Sequence, residues 1–210
     1  MEQIIAYLQQ KYQPIGMIVY GSFADGSNNA NSDFDALLIT EFGEESHDSS
    51  VVNGTELDVW IRPKNLFELD KKINCEDYVQ IESGKVVLDL DGTAAKLMKL
   101  VCQYVDEFTP KSWEENSVNV EWCEKMLLRT ERGDAEGYFR WHWLLVDSLE
   151  IYYDLCGKRY KGPKKSIRLM EALDIEGAKV YQKALSEMNY EALREWVCYL
   201  RKKLDESCTR

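Results

Sequence analysis

Hydrophobic and polar positions change their period near the middle of the chain. Up to about residue 108, short apolar runs alternate with turn residues; beyond Pro110 nearly every stretch repeats at helical spacing. Ile4, Ile5, Leu8 and Tyr12 predict a helix from Glu2 to Lys11, stopped by Pro14. Apolar runs at Ile15, Met17, Ile18 and Val19 and at Ala36 to Ile39 predict two strands around a polar stretch. Residues 41–50 are polar, include Gly43 and predict a loop, with His47 a lone, solvated side chain. Asn53-Gly54 between β-rich runs predicts a tight hairpin. In its second arm Leu57, Val59 and Ile61 share one face, and Glu56, Asp58 and Trp60 the other. A short helix over 63–72 with Leu66 and Leu69 inward, a strand over 86–88 and a helix from Ala94 to Phe108 complete this half. The expectation is an α/β (α+β) unit: a small mixed sheet of about four or five strands with helices against one face.

The second half predicts an all-α helical bundle. Ser112 with Glu115 forms a capping box, followed by an inward stripe of Val118, Trp122 and Met126. Gly133-Asp134 separates this helix from another that reaches about Cys156 and is apolar nearly all round, hence central. Its polar stripe is Arg140, Trp143, Asp147 and Glu150, whose acids either meet an acceptor or pair with Arg140 or Arg129; His142 lies off it as a core histidine. Further helices start at Pro163, near Ile175 and at Tyr190. Pro110 marks the boundary, giving domains 1–108 and 109–210.

Charge divides at the same place. Residues 1–108 hold 8 Lys and Arg against 19 Asp and Glu, while residues 109–210 hold 18 of each, so the whole net charge of −11 lies in the first half. Such a domain repels nucleic-acid backbone, so no nucleic-acid polymer is expected as substrate and a small or cationic acceptor is favoured. An apolar content of 45% with 11% aromatics excludes a disordered chain. Without an apolar leader or a run of about 18 apolar residues, neither export nor a membrane partner is expected, and the location expected is cytoplasmic. The widely spaced Cys75, Cys102, Cys123, Cys156, Cys198 and Cys208 predict reduced, mostly buried thiols. Monomer and homodimer stay open.

The chemistry concentrates in residues 20–35. Asp33 and Asp35, two positions apart at the start of a strand, point to one face and repel each other unless a cation lies between them. A hard divalent ion such as Mg²⁺, completed by substrate phosphates, is the natural partner. Gly21-Ser22, at the end of the preceding strand, offers phosphates a closely approachable backbone, N–H groups and a hydroxyl.

The pattern Gly21-Ser22-x-Ala24-x-Gly26, then Ser32-Asp33-x-Asp35, resembles the signature of the DNA polymerase β-like nucleotidyltransferases. Phe23 and Asp25 stand where that family often has basic residues. The resemblance implies that Gly21, Ser22 and Ser32 contact the nucleotide, and that Asp58, beside the Asp33-x-Asp35 strand, completes a triad for two metals and acts as base. Competing acids are Glu56 and the pair Asp89 and Asp91, the latter reading as a turn and helix cap. With its helical second half the chain is similar to the antibiotic nucleotidyltransferases that adenylylate aminoglycosides or lincosamides. The implied reaction is in-line attack of a small acceptor's hydroxyl on the α-phosphorus of Mg²⁺-bound ATP or another NTP. In the basic stretch Lys158 to Lys165, Lys164 or Lys165 either holds the β/γ phosphates or belongs to a solvated loop. A protein-modifying antitoxin of the same superfamily and a non-catalytic nucleotide-binding module are the alternative functions.

Overall fold

The computed structural model describes residues 1–67 and 73–207. They form two compact units that divide between Phe108 and Thr109.

The first unit is built on a six-stranded mixed sheet: β1 (Gly16–Val19), β2 (Phe34–Thr40), β3 (Ser46–Asp48), β4 (Val51–Val52), β5 (Thr55–Pro63) and β6 (Lys85–Asp89). The order is β3-β5-β2-β1-β6, with β4 pairing on β5. β2 and β5 run parallel, and the remaining pairs antiparallel. The β4–β5 hairpin turns on Asn53 at φ 53° and Gly54 at φ 81°, the two positive dihedrals that a type I′ turn requires.

Helices cover both faces, not one. Helix α1 (Glu2–Tyr12) sets Ile4 and Leu8 against Met17, Val19, Leu38 and Val59. Helix α3 (Thr93–Asp106) sets Ala94, Leu97 and Val101 against Ile18, Tyr20, Leu37 and Ile39 on the opposite face. The cause is visible in β1 and β2, where successive apolar residues bury both sides of a central strand. Each fully buried leucine here, such as Leu38, contributes about 1.5–3 kcal/mol.

Two stretches depart from expectation. Residues 41–50 contain β3, because the edge of β5 recruits Ser46-His47-Asp48 as a short antiparallel partner. The helix expected over 63–72 begins as a 3-10 segment, Lys64–Phe67, with Phe67 buried and Leu66 half-buried; Leu69 lies outside the described residues. A second 3-10 run, Cys75–Ser83, buries Ile81 and sets Tyr78 edge-on to Phe67.

The second unit contains α4 (Trp113–Thr130), α5 (Ala135–Leu155), α6 (Gly162–Leu173), α7 (Ile175–Glu187) and α8 (Tyr190–Ser207). The Ser112–Glu115 capping box forms in both directions. The inward face of α4 is Asn116, Val120, Cys123, Met126 and Leu127, whereas Val118 is exposed and Trp122 half-buried. Two polar residues on that buried face, Asn116 and Thr130, hide it from a search for apolar spacing. On α5, Leu144, Leu145, Ser148 and Tyr152 face inward, but Tyr138, Phe139 and Val146 are exposed, as is His142, which is therefore not a core histidine. Arg140 pairs with Glu136, and Asp147 accepts a hydrogen bond from Trp143 Nε1, so no Arg140–Asp147 bridge forms.

Asp174, at the start of α7, ties this unit together. It accepts hydrogen bonds from Gly177 N–H and from the Tyr152 and Tyr199 hydroxyls, and pairs with Lys203. Cys75, Cys102, Cys123, Cys156 and Cys198 are free thiols, with Cys123 buried and Cys198 exposed; Cys208 lies outside the described residues. No helix among the described residues is long and apolar enough to cross a membrane.

Candidate active site

The parallel pairing of β2 and β5 sets Asp35 directly beside Asp58. Alternation along β2 turns Asp35 to the α3 face together with Leu37 and Ile39, and along β5 turns Asp58 away from buried Leu57 and Val59. Asp33, just ahead of β2, adds a third acid. One carboxylate oxygen from each of Asp33, Asp35 and Asp58 lies within 4.8 Å of the others. At that separation, Asp35 and Asp58 repel by about 3 kcal/mol at an effective dielectric near 20, an arrangement that a bound cation would reverse. The donors are all hard oxygens, the set that Mg²⁺ takes. Glu56 is exposed and outside the cluster. Asp89 and Asp91 cap α3, accepting from the N–H groups of Ala94, Ala95 and Thr93.

Gly21 explains how the turn approaches this cluster. Its φ is +64°, and a Cβ there would sit 2.1 Å from Asp35 Oδ2. Only glycine fits both the left-handed backbone and the contact. Gly21–Asp25 closes as the short helix α2, with Ser22 buried, and Tyr20 N–H donates to Asp35 O across the strands. Phe23 packs edge-on to Phe34, which accounts for an apolar side chain in this connector. The Ser32 hydroxyl accepts from Asn29 N–H and shapes the loop before Asp33; its own O–H can still donate.

Two neighbours of the cluster are not signalled by the motif. Burial pushes the Tyr20 phenol above its ordinary range, and the charges of Asp58, Asp35 and Asp33 push it further, so it stays a neutral hydroxyl. His47, expected to be alone, has Nε2 2.6 Å from Asp58 Oδ1 and its ring against Trp60. Lys164 and Lys165 stand exposed in the first turn of α6, in the second unit.

Residues 1–89 match the model of a nucleotidyltransferase domain. That stretch holds the Gly21-Ser22 turn and all three carboxylates, so the chain carries a nucleotidyltransferase domain and is an enzyme of that kind. Similar solved structures include a nucleotidyltransferase-like protein from Exiguobacterium sibiricum 255-15, 12% identical, with 98% of this chain and 74% of that one covered and a TM-score of 0.44. Another is spectinomycin adenyltransferase AAD(9) from Enterococcus faecialis, determined with ATP and spectinomycin. It is 12% identical, with 97% of this chain and 98% of that one covered and a TM-score of 0.42. No curated protein matches the sequence.

Proposed function

We propose that the protein transfers a nucleoside monophosphate, AMP from ATP in the simplest case, to a hydroxyl of a small acceptor such as an aminoglycoside or lincosamide, the new bond at the α-phosphorus replacing the bond to pyrophosphate, which leaves. The observation that carries this reading is the convergence of Asp33, Asp35 and Asp58 from adjoining strands. These residues would hold Mg²⁺, a pair in the full reading, which when bound neutralises charge on the attacking and leaving oxygens. Asp58 would accept the proton of the acceptor hydroxyl, and Asp33 and Asp35 would hold the cation to which the nucleotide phosphates bind. Gly21 lets the backbone approach the phosphates, and Ser22 and Ser32 supply hydroxyls. The 19 acids against 8 bases of residues 1–108 favour a cationic acceptor over a polyanionic one. A grip on the triphosphate tail by Lys164 or Lys165 belongs to the same proposal, as does a cytoplasmic location.

The test incubates the protein with Mg²⁺, ATP and a panel of aminoglycosides and lincosamides, followed by mass spectrometry. A nucleotide-sized gain on an acceptor, absent with Asp35→Ala, is the expected result. The same gain on a protein would redirect the reading to protein modification. No gain on any species, with ATP left intact, would overturn transfer to these acceptors.

A further inference from the structure

His47 has no part in the chemistry described above, yet its Nε2 lies 2.6 Å from Asp58 Oδ1. An ionised carboxylate only accepts hydrogen bonds, so Nε2–H is the donor. The contact is built from two sides. Strand β3 pairs with β5 so that His47 stands opposite Trp60 and Asp48 opposite Val59. Alternation sends Asp48 to one face, where it is buried and accepts from Lys11 at 2.9 Å, Tyr12 at 2.8 Å and Ser50 N–H at 2.9 Å. Those bonds pin a three-residue strand that has no apolar anchor of its own. On the other face the imidazole rests on the Trp60 indole, ring centroids 4.4 Å apart, and the Arg62 guanidinium lies 4.9 Å from the same indole. The pinned strand and the ring contact together restrict the imidazole, so its N–H is delivered to one carboxylate oxygen.

That carboxylate has a reason to need it. Asp58 is the register partner of Asp35, and like charge pushes the two side chains apart. Asp58 is also half-exposed, free of the packing that would hold a buried rotamer. We propose that His47 is a positioning residue for the metal site: by donating to Asp58 Oδ1 it fixes the carboxylate against that repulsion. The remaining lone pairs of Asp58 are then left for the cation shared with Asp33 and Asp35. The inference rests on the metal reading of this cluster. Donors to ligating carboxylates are typically worth about 10–100-fold in metal affinity, which sets the size of the effect.

The test titrates Mn²⁺ into the full-length protein and follows free ion by electron paramagnetic resonance. Wild type, Asp35→Asn, His47→Phe and His47→Gln are compared. Phe keeps a ring for Trp60 but has no donor, and Gln restores an N–H. The expected result is Mn²⁺ affinity lowered about 10-fold or more in His47→Phe and largely recovered in His47→Gln. Wild-type affinity in a folded His47→Phe would overturn the positioning role, as would a nitrogen coupling showing that the imidazole ligates Mn²⁺ directly. If His47→Phe does not fold, His47→Leu is read against His47→Gln in the same way. If wild type binds no more tightly than Asp35→Asn, the metal reading itself fails, an outcome distinct from a failure at His47.

Discussion

At residue scale, Gly21 and Asp35 constrain each other. A methyl group at position 21 would meet Asp35 Oδ2 at 2.1 Å in a backbone that already disfavours a side chain. Gly21→Ala is expected to cost about 1–2 kcal/mol in the left-handed conformation. It should also move the carboxylate enough to lower turnover about 10²-fold. Thermal unfolding and nucleotide-transfer assays check the two effects separately. Asp35→Asn should behave differently, because it removes charge without adding bulk. It is expected to abolish Mn²⁺ binding while leaving the Tm of the metal-free protein unchanged or raised, since repulsion with Asp58 is relieved. A clear fall in Tm would mean that Asp35 serves the fold and not the site. The two-residue spacing of Asp33 and Asp35 is legible because a strand's period translates directly into a shared face. The donor at Asp58 is not legible, since nothing in a polar decapeptide signals which side chain meets it.

At element scale, β3 shows how a strand can arise without strand propensity. Ser46-His47-Asp48 has no apolar residue, and its conformation comes from the free edge of β5 and the bonds that gather on Asp48. Burial pushes the Asp48 carboxyl up, but hydrogen bonds from Ser50, Lys11 and Tyr12 outweigh it and hold the group well below the usual carboxylate range. A folded-state value below the unfolded value of about 3.9 means that this stabilisation is complete at neutral pH and lost as pH falls below about 4. Asp48→Asn should therefore destabilise the neutral protein by about 2 kcal/mol. It should also flatten the fall of Tm between about pH 5 and pH 2, measured by calorimetry. Other elements followed local rules closely. The Asn53-Gly54 hairpin and the Ser112–Glu115 capping box are fixed within a few residues, so short-range chemistry suffices to specify them. The inward face of α4 is not so fixed: several stripes satisfy helical spacing, and packing selected the one with Asn116 and Thr130.

At the scale of the whole molecule, each unit has a core of its own. The first holds the three carboxylates, and the second is organised by Asp174, whose side chain joins α5, α7 and α8. Asp174→Ala leaves the Tyr152 and Tyr199 hydroxyls and the Lys203 ammonium without that acceptor and should cost about 2–4 kcal/mol. Because every proposed metal ligand lies before residue 108, Mn²⁺ affinity should be unchanged in that variant, and a parallel loss of both would refute independent cores. Lys164→Ala and Lys165→Ala, in α6, should raise the nucleotide KM if the second unit grips phosphate. An unchanged KM in both would leave that grip to other groups.

By itself the sequence determined what depends on neighbours along the chain: an α/β half followed by a helical half, the hairpin, the helix caps and the paired acids after a Gly-Ser turn. Periodicity and turn chemistry are local, so they survive being read in one dimension. Only the tertiary structure decided that β5 runs parallel to β2, in a register that pairs Asp58 with Asp35 where the family resemblance implied just a neighbouring strand, that helices close both faces of the sheet, and that His47 meets Asp58. Those outcomes join residues brought together by strand pairing and burial, where the gain comes from filling a shared core and no short stretch of chain contains it.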